Sequence, residues 1–277
     1  MSYHERTIVI ASKHHKEQVI APVFQKYWNC RLIRTALDTD LLGTFTGEVP
    51  RVHDQLTTCR MKAYQAASLA MQSCAIASEG CFGPHPLIPW APMNHEVMVL
   101  VDKERDIFIQ EELFSYETNY STLQIDINSE LSDFLEKVRF PSHGLCIQTK
   151  DLDKVIAKGI QTHDDLQKAL KKGFLLDEVL LLSTDMRALF NPMRMKVIGL
   201  LAEKLAQRIL KLCPACQMPG FGKVGVEGAL PCRACHMSSN DYAFEILGCV
   251  KCHYQERQCR SDGRESIEPQ FCDFCNP

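Results

Sequence analysis

The chain has 277 residues with 31 Lys+Arg against 34 Asp+Glu, and 45% of it is hydrophobic. That suffices for one large or two smaller domains, and a formal charge of -3 points away from a polyanionic partner. The opening MSYHERTIVIAS holds only a short apolar run, and no later stretch approaches the roughly 18 apolar residues of a span, so no signal peptide or membrane helix is expected.

Thr7–Ala11 (TIVIA) is apolar throughout and β-branched, which predicts a strand buried on both faces. After Ser12-Lys13-His14-His15-Lys16, the four-residue repeats Val19/Val23/Tyr27 and Ile20/Phe24/Trp28 predict a helix. An interior Pro22 opposes it by about 3 kcal/mol. Cys30–Leu37 is expected to return as a strand. Asp54 is placed to cap a second helix from Gln55 to about Gln72, with Ala63, Ala66, Ala67 and Ala70 suited to close packing. Cys74–Ala77 reads as the next strand and Ser78–Gly83 as a turn. The four prolines of Pro84–Pro92 exclude a central strand there. Glu96–Val101 and Ile107–Gln110 then read as a hairpin around Asp102–Asp106.

Leu131–Arg139 reads as helix, Gly144–Gln148 as strand, and Thr162–Lys172 as a helix capped by Thr162. Val179–Leu182 is another buried-type strand. Asn191-Pro192 joins an N-cap to a proline at the first helical position. The helix it opens carries Val197/Leu201/Leu205/Ile209 on one stripe and runs to about Leu212. A domain boundary is expected there, between an α/β domain over residues 1–212 and a module over 213–277.

Three places in the α/β part carry residues suited to a phosphate ligand. The strand–loop–helix junction offers backbone N–H groups at a helix N-terminus, the Ser12 hydroxyl, and the charges of Lys13 and Lys16. The alternative there is a solvated basic turn. Glu48 and Glu79 are carboxylates of the kind that share Mg²⁺ with substrate phosphates, and Gly80 and Gly83 leave room beside Glu79. Asp38 and Asp40 read better as surface turns. At Ser183-Thr184-Asp185-Met186-Arg187, followed by Arg194 and Lys196, cations cluster at a helix start, where each opposes the macrodipole by about 0.3–1 kcal/mol. An anionic ligand or an ion pair with Asp185 would offset that. His85 and His95 read as loop histidines. Cys30, Cys59, Cys74 and Cys146 read as small buried hydrophobes, while Cys81 stands apart beside Glu79.

Nine of the 14 cysteines fall in the last 67 residues, and eight of them form four C-x-x-C pairs: Cys213/Cys216, Cys232/Cys235, Cys249/Cys252 and Cys272/Cys275. Two such turns supply the four thiolates of a tetrahedral zinc site, so two structural zinc ions are expected. The clustering argues for metal over disulfides and for a reducing cytosol. Gaps of 15 residues after Cys216 and 19 after Cys252 suit pairing of successive motifs. A crossed arrangement, joining Cys213/Cys216 to Cys249/Cys252, is the other possibility, and Cys259, His236 and His253 are spare ligands. From Lys211 onward seven Lys/Arg face eight Asp/Glu. That balance fits a protein partner or plain stabilisation better than nucleic acid.

In the order of these motifs, residues about 7–175 resemble the inosine/xanthosine triphosphatase superfamily of nucleotide pyrophosphatases. Its T-N-x-x-K phosphate loop is matched by Ser12–Lys16. Its Gly-Thr-Phe-x-x-Glu-like segment is matched by Gly43–Glu48, its Lys-Ala helix by Lys62-Ala63, and its acidic turn by Ala77–Gly80. Gly159–Leu170 resembles a helix of one branch, and Ser183–Arg187 occupies the place of the base-contacting Ser-His-Arg without matching it. Lys13 replaces the loop asparagine, Glu79 is a single acid where many members have two, and the cysteine tail is foreign to the superfamily. The whole chain resembles uncharacterised bacterial proteins that join such a domain to a cysteine-rich tail. The resemblance implies a mixed-sheet pyrophosphatase-like fold and Mg-dependent hydrolysis of a nucleoside triphosphate or related ester, with release of pyrophosphate. Ser12, Lys13, Lys16 and Lys62 would hold phosphate, Glu48 and Glu79 the ion, and Asp185, Arg187 and Arg194 the far end of the substrate. A non-enzymatic nucleotide sensor or scaffold is the alternative.

Overall fold

β1 (Thr7–Ala11) is the buried strand that its composition predicts, and it pairs in parallel on both sides, with β2 (Arg31–Arg34) and with β3 (Cys74–Pro84). The computed structural model describes residues 3–35, 37, 38, 41, 43, 46–85, 88 and 90–277. Asp40, Thr44, Phe45 and part of the proline-rich stretch lie outside the described residues. Contacts divide the chain into two units, Met1–Ala206 and Gln207–Pro277.

In the first unit, α1 (Glu17–Trp28) links β1 to β2, and α2 (Gln55–Leu69) precedes β3. α1 keeps Pro22 within it and buries Ile20, Phe24 and Trp28. At the start of α2 the Asp54 carboxylate accepts a hydrogen bond from the Thr57 amide at 2.9 Å, as a cap should. β4 (Pro92–Asp102) and β5 (Ile107–Ser115) then add to β3 as antiparallel strands, giving a mixed five-stranded sheet in the order β2-β1-β3-β4-β5. Ala63, Ala66 and Ala67 let α2 lie close against one face, built of Val9, Ala11, Ala75, Ala77, Val97, Val99 and Val101.

The segment Ser78–Gly83, expected as a turn, is instead the second half of β3, with Glu79 opposite Val97 and Gly80 opposite Glu96. Of the two glycines there, Gly80 serves close packing, while Gly83 faces open space. A Cβ at Gly80 would collide with Nη2 of Arg194 and Oε1 of Glu96.

A second sheet in this unit is fully antiparallel in the order β6-β9-β7-β8. Its strands are β6 (Thr122–Ile125), β7 (Leu145–Thr149), β8 (Val155–Ile160) and β9 (Leu180–Thr184). α3 (Ser132–Lys137) and α4 (His163–Phe174) close its core through Phe134, Leu166 and Ala169, packed on Ile125, Leu145, Ile147, Leu180 and Leu182. Thr162 caps α4, accepting from the Asp165 amide at 3.1 Å. Asn191 caps α5 (Pro192–Leu210), accepting from the Arg194 amide at 3.0 Å. Gly159, placed by the resemblance at a helix start, lies in β8 with φ +70°, and its amide donates to Asp185.

The second unit holds β10 (Gly222–Glu227), β11 (Phe244–Gly248) and β12 (Gln255–Cys259) in one antiparallel sheet. Its buried apolar groups are small: Leu230, Cys232, Ile267 and Cys272 form one, Cys213, Phe221 and Cys249 another. Among the described residues no helix is long and apolar enough to cross a membrane.

Candidate functional site

The strand order β2-β1-β3 sends successive connections to opposite sides of β1. The connection leaving β1 runs to β2 and that leaving β3 runs the other way to β4, and such a switch point in an α/β sheet leaves a crevice for ligands, here just past the last β1–β3 pair, Ala11 with Ala77. A cavity of about 90 Å³ opens there. Seven Lys/Arg side chains line it: Lys13, Lys16, Arg51, Lys62, Lys158, Arg187 and Arg194. Ser12, His14 and Ser78 line it too, and Glu79 is the one carboxylate among the described lining residues.

Each cation has a definite setting. Lys16 is buried and donates to the Ser78 carbonyl at 2.6 Å and the Ser78 hydroxyl at 3.1 Å. Among the described residues no carboxylate lies within ion-pair distance of it. Burial first, then the nearby Arg194 and Lys62 charges, push its pKa down to about 8 against the opposing pull of Glu79 and Glu96. Lys62 is buried with Nζ 2.6 Å from Oε1 of Glu79, and Arg51 stands 3.5 Å from the other oxygen. Burial raises the Glu79 pKa, but Lys62, Lys16 and Arg51 outweigh it, so the carboxylate stays below its usual range.

Arg194 is locked by Glu96, which is wholly buried, through Nε–Oε1 at 2.6 Å and Nη2–Oε2 at 3.3 Å, and it donates to the Met186 carbonyl at 2.5 Å. Arg187 forks onto Asp185, also wholly buried, with Nη2–Oδ2 at 2.6 Å, and stacks 4.4 Å over the Phe190 ring. Lys13 pairs with Asp38 at 2.8 Å. Lys158 pairs with Glu48, whose carboxylate is held below its usual pKa by that bond and by the Thr46 hydroxyl.

Seven of the sequence-derived site residues thus meet at one cavity: Ser12, Lys13, Lys16, Lys62, Glu79, Arg187 and Arg194. Asp185 lies behind Arg187 as its partner, the ion-pair alternative for that residue. Glu48 is not among the lining residues and reaches the site only through Lys158. Lys196 pairs with Glu117 on the exposed surface. Cys81 is exposed on β3 and also outside the lining. One expectation changes in kind. The amides of Lys16, Gln18 and Val19 are engaged locally, by the Ser12 hydroxyl and the His15 and Lys16 carbonyls, so the positive character comes chiefly from side chains. The two carboxylates do not form a shared magnesium site. Both oxygens of Glu79 face cations, while Glu48 lies outside the lining and is engaged through Oε2 by Lys158 and Thr46. Arg51 and Lys158 had no sequence signal beyond their charge, because loop 46–53 and β8 approach Ser12 only through the tertiary fold.

The second unit gathers its eight motif cysteines into two tetrads, Cys213/Cys216/Cys249/Cys252 and Cys232/Cys235/Cys272/Cys275, each able to hold one metal ion. The crossed arrangement is therefore the one present. Its cause is the sheet. Gly222 pairs with Gly248, which brings the first motif beside the third at one end, while Glu227 pairs with Phe244 at the other. A bridge between Cys232 and Ile267 then holds the second motif near the fourth. Three motifs share one turn, in which the residue after the second cysteine takes left-handed φ: Gln217 at 59°, His236 at 60° and His253 at 61°. The Gln217 and His236 amides each donate to the carbonyl of their motif's first cysteine at 2.9 Å, and the Asn276 amide does the same in the fourth motif. His236 and His253 thus serve as turn residues, and neither they nor Cys259 joins a tetrad.

No curated protein matches the chain. Residues 62–277, from the middle of α2 through both tetrads, match the family model described as a domain of unknown function, DUF6671, and the chain belongs to that family.

Proposed function

We propose that Met1–Ala206 is a phosphate-ester-binding domain that takes a nucleotide or a similar multiply charged small molecule, and that Gln207–Pro277 is a module built on two structural zinc ions. The observation that carries the first part is the seven-cation cavity at the β1/β3 switch point, with its buried and carboxylate-free Lys16. A buried ammonium without an acid partner costs several kcal/mol, roughly, and an incoming phosphate would offset that cost. Titration calorimetry with phosphate, pyrophosphate and nucleoside mono-, di- and triphosphates tests it. Binding that weakens steeply with salt and with Arg51→Ala is expected; no binding by any of these anions would remove the reading.

Phosphoanhydride hydrolysis is the second reading, favoured by the position of Glu79 as a charged carboxylate in the cavity lining. The same nucleotides, followed for pyrophosphate release with and without Mg²⁺, decide it. Turnover lost in Glu79→Gln supports it, and unchanged turnover or none at all leaves a binding domain. The pyrophosphatase-like fold belongs to this reading and stands or falls with it.

Zinc is supported by the chemistry and spacing of the donors. Sulfur–sulfur distances of 3.6 to 3.8 Å across the tetrads are far too long for disulfides. They match the edge of about 3.8 Å expected of a sulfur tetrahedron around zinc with bonds near 2.3 Å. Four thiolates leave no open position, so the ions would stabilise without activating water. Metal analysis is expected to find two zinc ions per chain, and fewer would overturn it.

A further inference from the structure

Lys16 has a setting that phosphate binding alone does not require. A neutral primary amine has two N–H donors and one lone pair, whereas an ammonium has three donors and none. Ser78 supplies two acceptors to Nζ, its carbonyl at 2.6 Å and its hydroxyl at 3.1 Å. These satisfy both hydrogens of the neutral form and leave the lone pair unengaged in a residue that lines the cavity. The surroundings bring that form within closer reach of neutral pH than for an ordinary lysine. Nζ is buried, with the cations Arg194 and Lys62 nearby, and together they hold its pKa near 8 although Glu79 and Glu96 pull the other way. A lysine desolvated beside other cations is the arrangement that makes an amine nucleophilic near neutral pH.

The geometry points to Lys16 as an imine-forming residue for a small phosphorylated aldehyde or ketone, whose phosphate is held by the cavity's Arg51, Lys158 and Arg187. This deepens the phosphate-binding reading and rests on it. In the step, Nζ attacks the carbonyl carbon and a C–N bond forms. The carbonyl C–O bond then breaks, and the oxygen leaves as water carrying the two hydrogens lost from nitrogen. No electrons are exchanged with an outside reagent. Lys62, 2.6 Å from Glu79, is a second amine in the cavity but is engaged by that carboxylate and unsuited to attack.

The full chain is incubated with pyridoxal 5′-phosphate, a phosphorylated aldehyde, reduced with borohydride, and mapped by peptide mass spectrometry. Modification at Lys16 is expected to exceed that at the exposed Lys13 and Lys158 by about tenfold, since an ordinary lysine is far less deprotonated at neutral pH. It should fall when inorganic phosphate competes and when pyridoxal lacking the phosphate replaces the probe. Lys16→Arg, which keeps the charge but lacks the amine, should abolish it. Modification spread over surface lysines, or none at Lys16, overturns the proposal. If phosphate still binds, that result leaves the phosphate-binding reading standing. If Lys16 is modified with no protection by phosphate, both fall.

Discussion

In Met1–Ala206 the polar side chains stand on two sheets with extensive apolar cores, and the acids that fix them are themselves buried, Glu96 against Arg194 and Asp185 against Arg187. In Gln207–Pro277 the buried apolar residues come to two small groups, and cysteines belong to both. The first unit can therefore hold excess positive charge around an open cavity, because hydrophobic burial offsets the cost. The second has too little core to do so, and four short turns converge where a metal would bind them. The side chains that matter in one unit are available to a ligand. Those in the other are consumed by the fold.

The largest expected effect tests that contrast most directly. Structural zinc contributes about 10 kcal/mol or more to small metal-dependent folds. Because the tetrads interleave along the chain, Cys249→Ser should cost the second tetrad its order as well as the first. Metal content should fall toward none while a separate thermal transition of Met1–Ala206 survives. Loss of a single metal, with the other site intact, would show that the tetrads are independent.

Next in size is the buried pair under the cavity. Glu96→Gln leaves Arg194 charged and uncompensated, at about 3–5 kcal/mol. Urea unfolding of the first unit should show it, with no change in metal content; a loss below about 1 kcal/mol would mean that Arg194 reaches solvent.

Lys16 gives a test with a sign. Its folded pKa, near 8, lies below the ordinary lysine value of 10.5. Below pH 8 both states carry the proton, and between about 8 and 10.5 only the unfolded chain does. Stability should therefore rise with pH across that window. Relative to Lys16→Met, the wild type should gain about 3 kcal/mol from pH 8 to 10.5, as a shift of this size implies. A flat difference would show that the amine is hydrated. Smallest are the caps: Asp54→Ala and Thr162→Ala should each destabilise the first unit by about 1 kcal/mol, seen as a lower urea midpoint, and neither should alter phosphate binding.

Legibility in the sequence followed the range of the interaction. Asp54, Thr162 and Asn191 were readable as caps because each bonds to an amide three residues on. β1 was readable from its unbroken apolar run. The second half of β3 was not, since a glycine such as Gly80 carries the same local signal in a turn and in a strand that must accept a close neighbour. β6 and β8 were missed for a related reason: they are short, and their burial comes from partners across the second sheet. Ser12, Lys13 and Lys16 were suggested by a strand–loop–helix junction, yet Arg51 and Lys158 came to that junction through contacts no local pattern records.

By itself the sequence determined that eight cysteines would come together in pairs at four C-x-x-C turns, because the spacing that brings two thiolates together lies within one turn of chain. It determined where three helices start for the same reason, though not where they end: Leu69, Phe174 and Leu210 close them in place of the expected Gln72, Lys172 and Leu212. Only the tertiary structure decided which turns share a tetrad, since sheet register, not chain spacing, sets which ends meet. It also decided that Glu48 and Glu79 answer to lysines and that seven cations surround one cavity. Such charges act across space, over distances that bear no fixed relation to their separation along the chain.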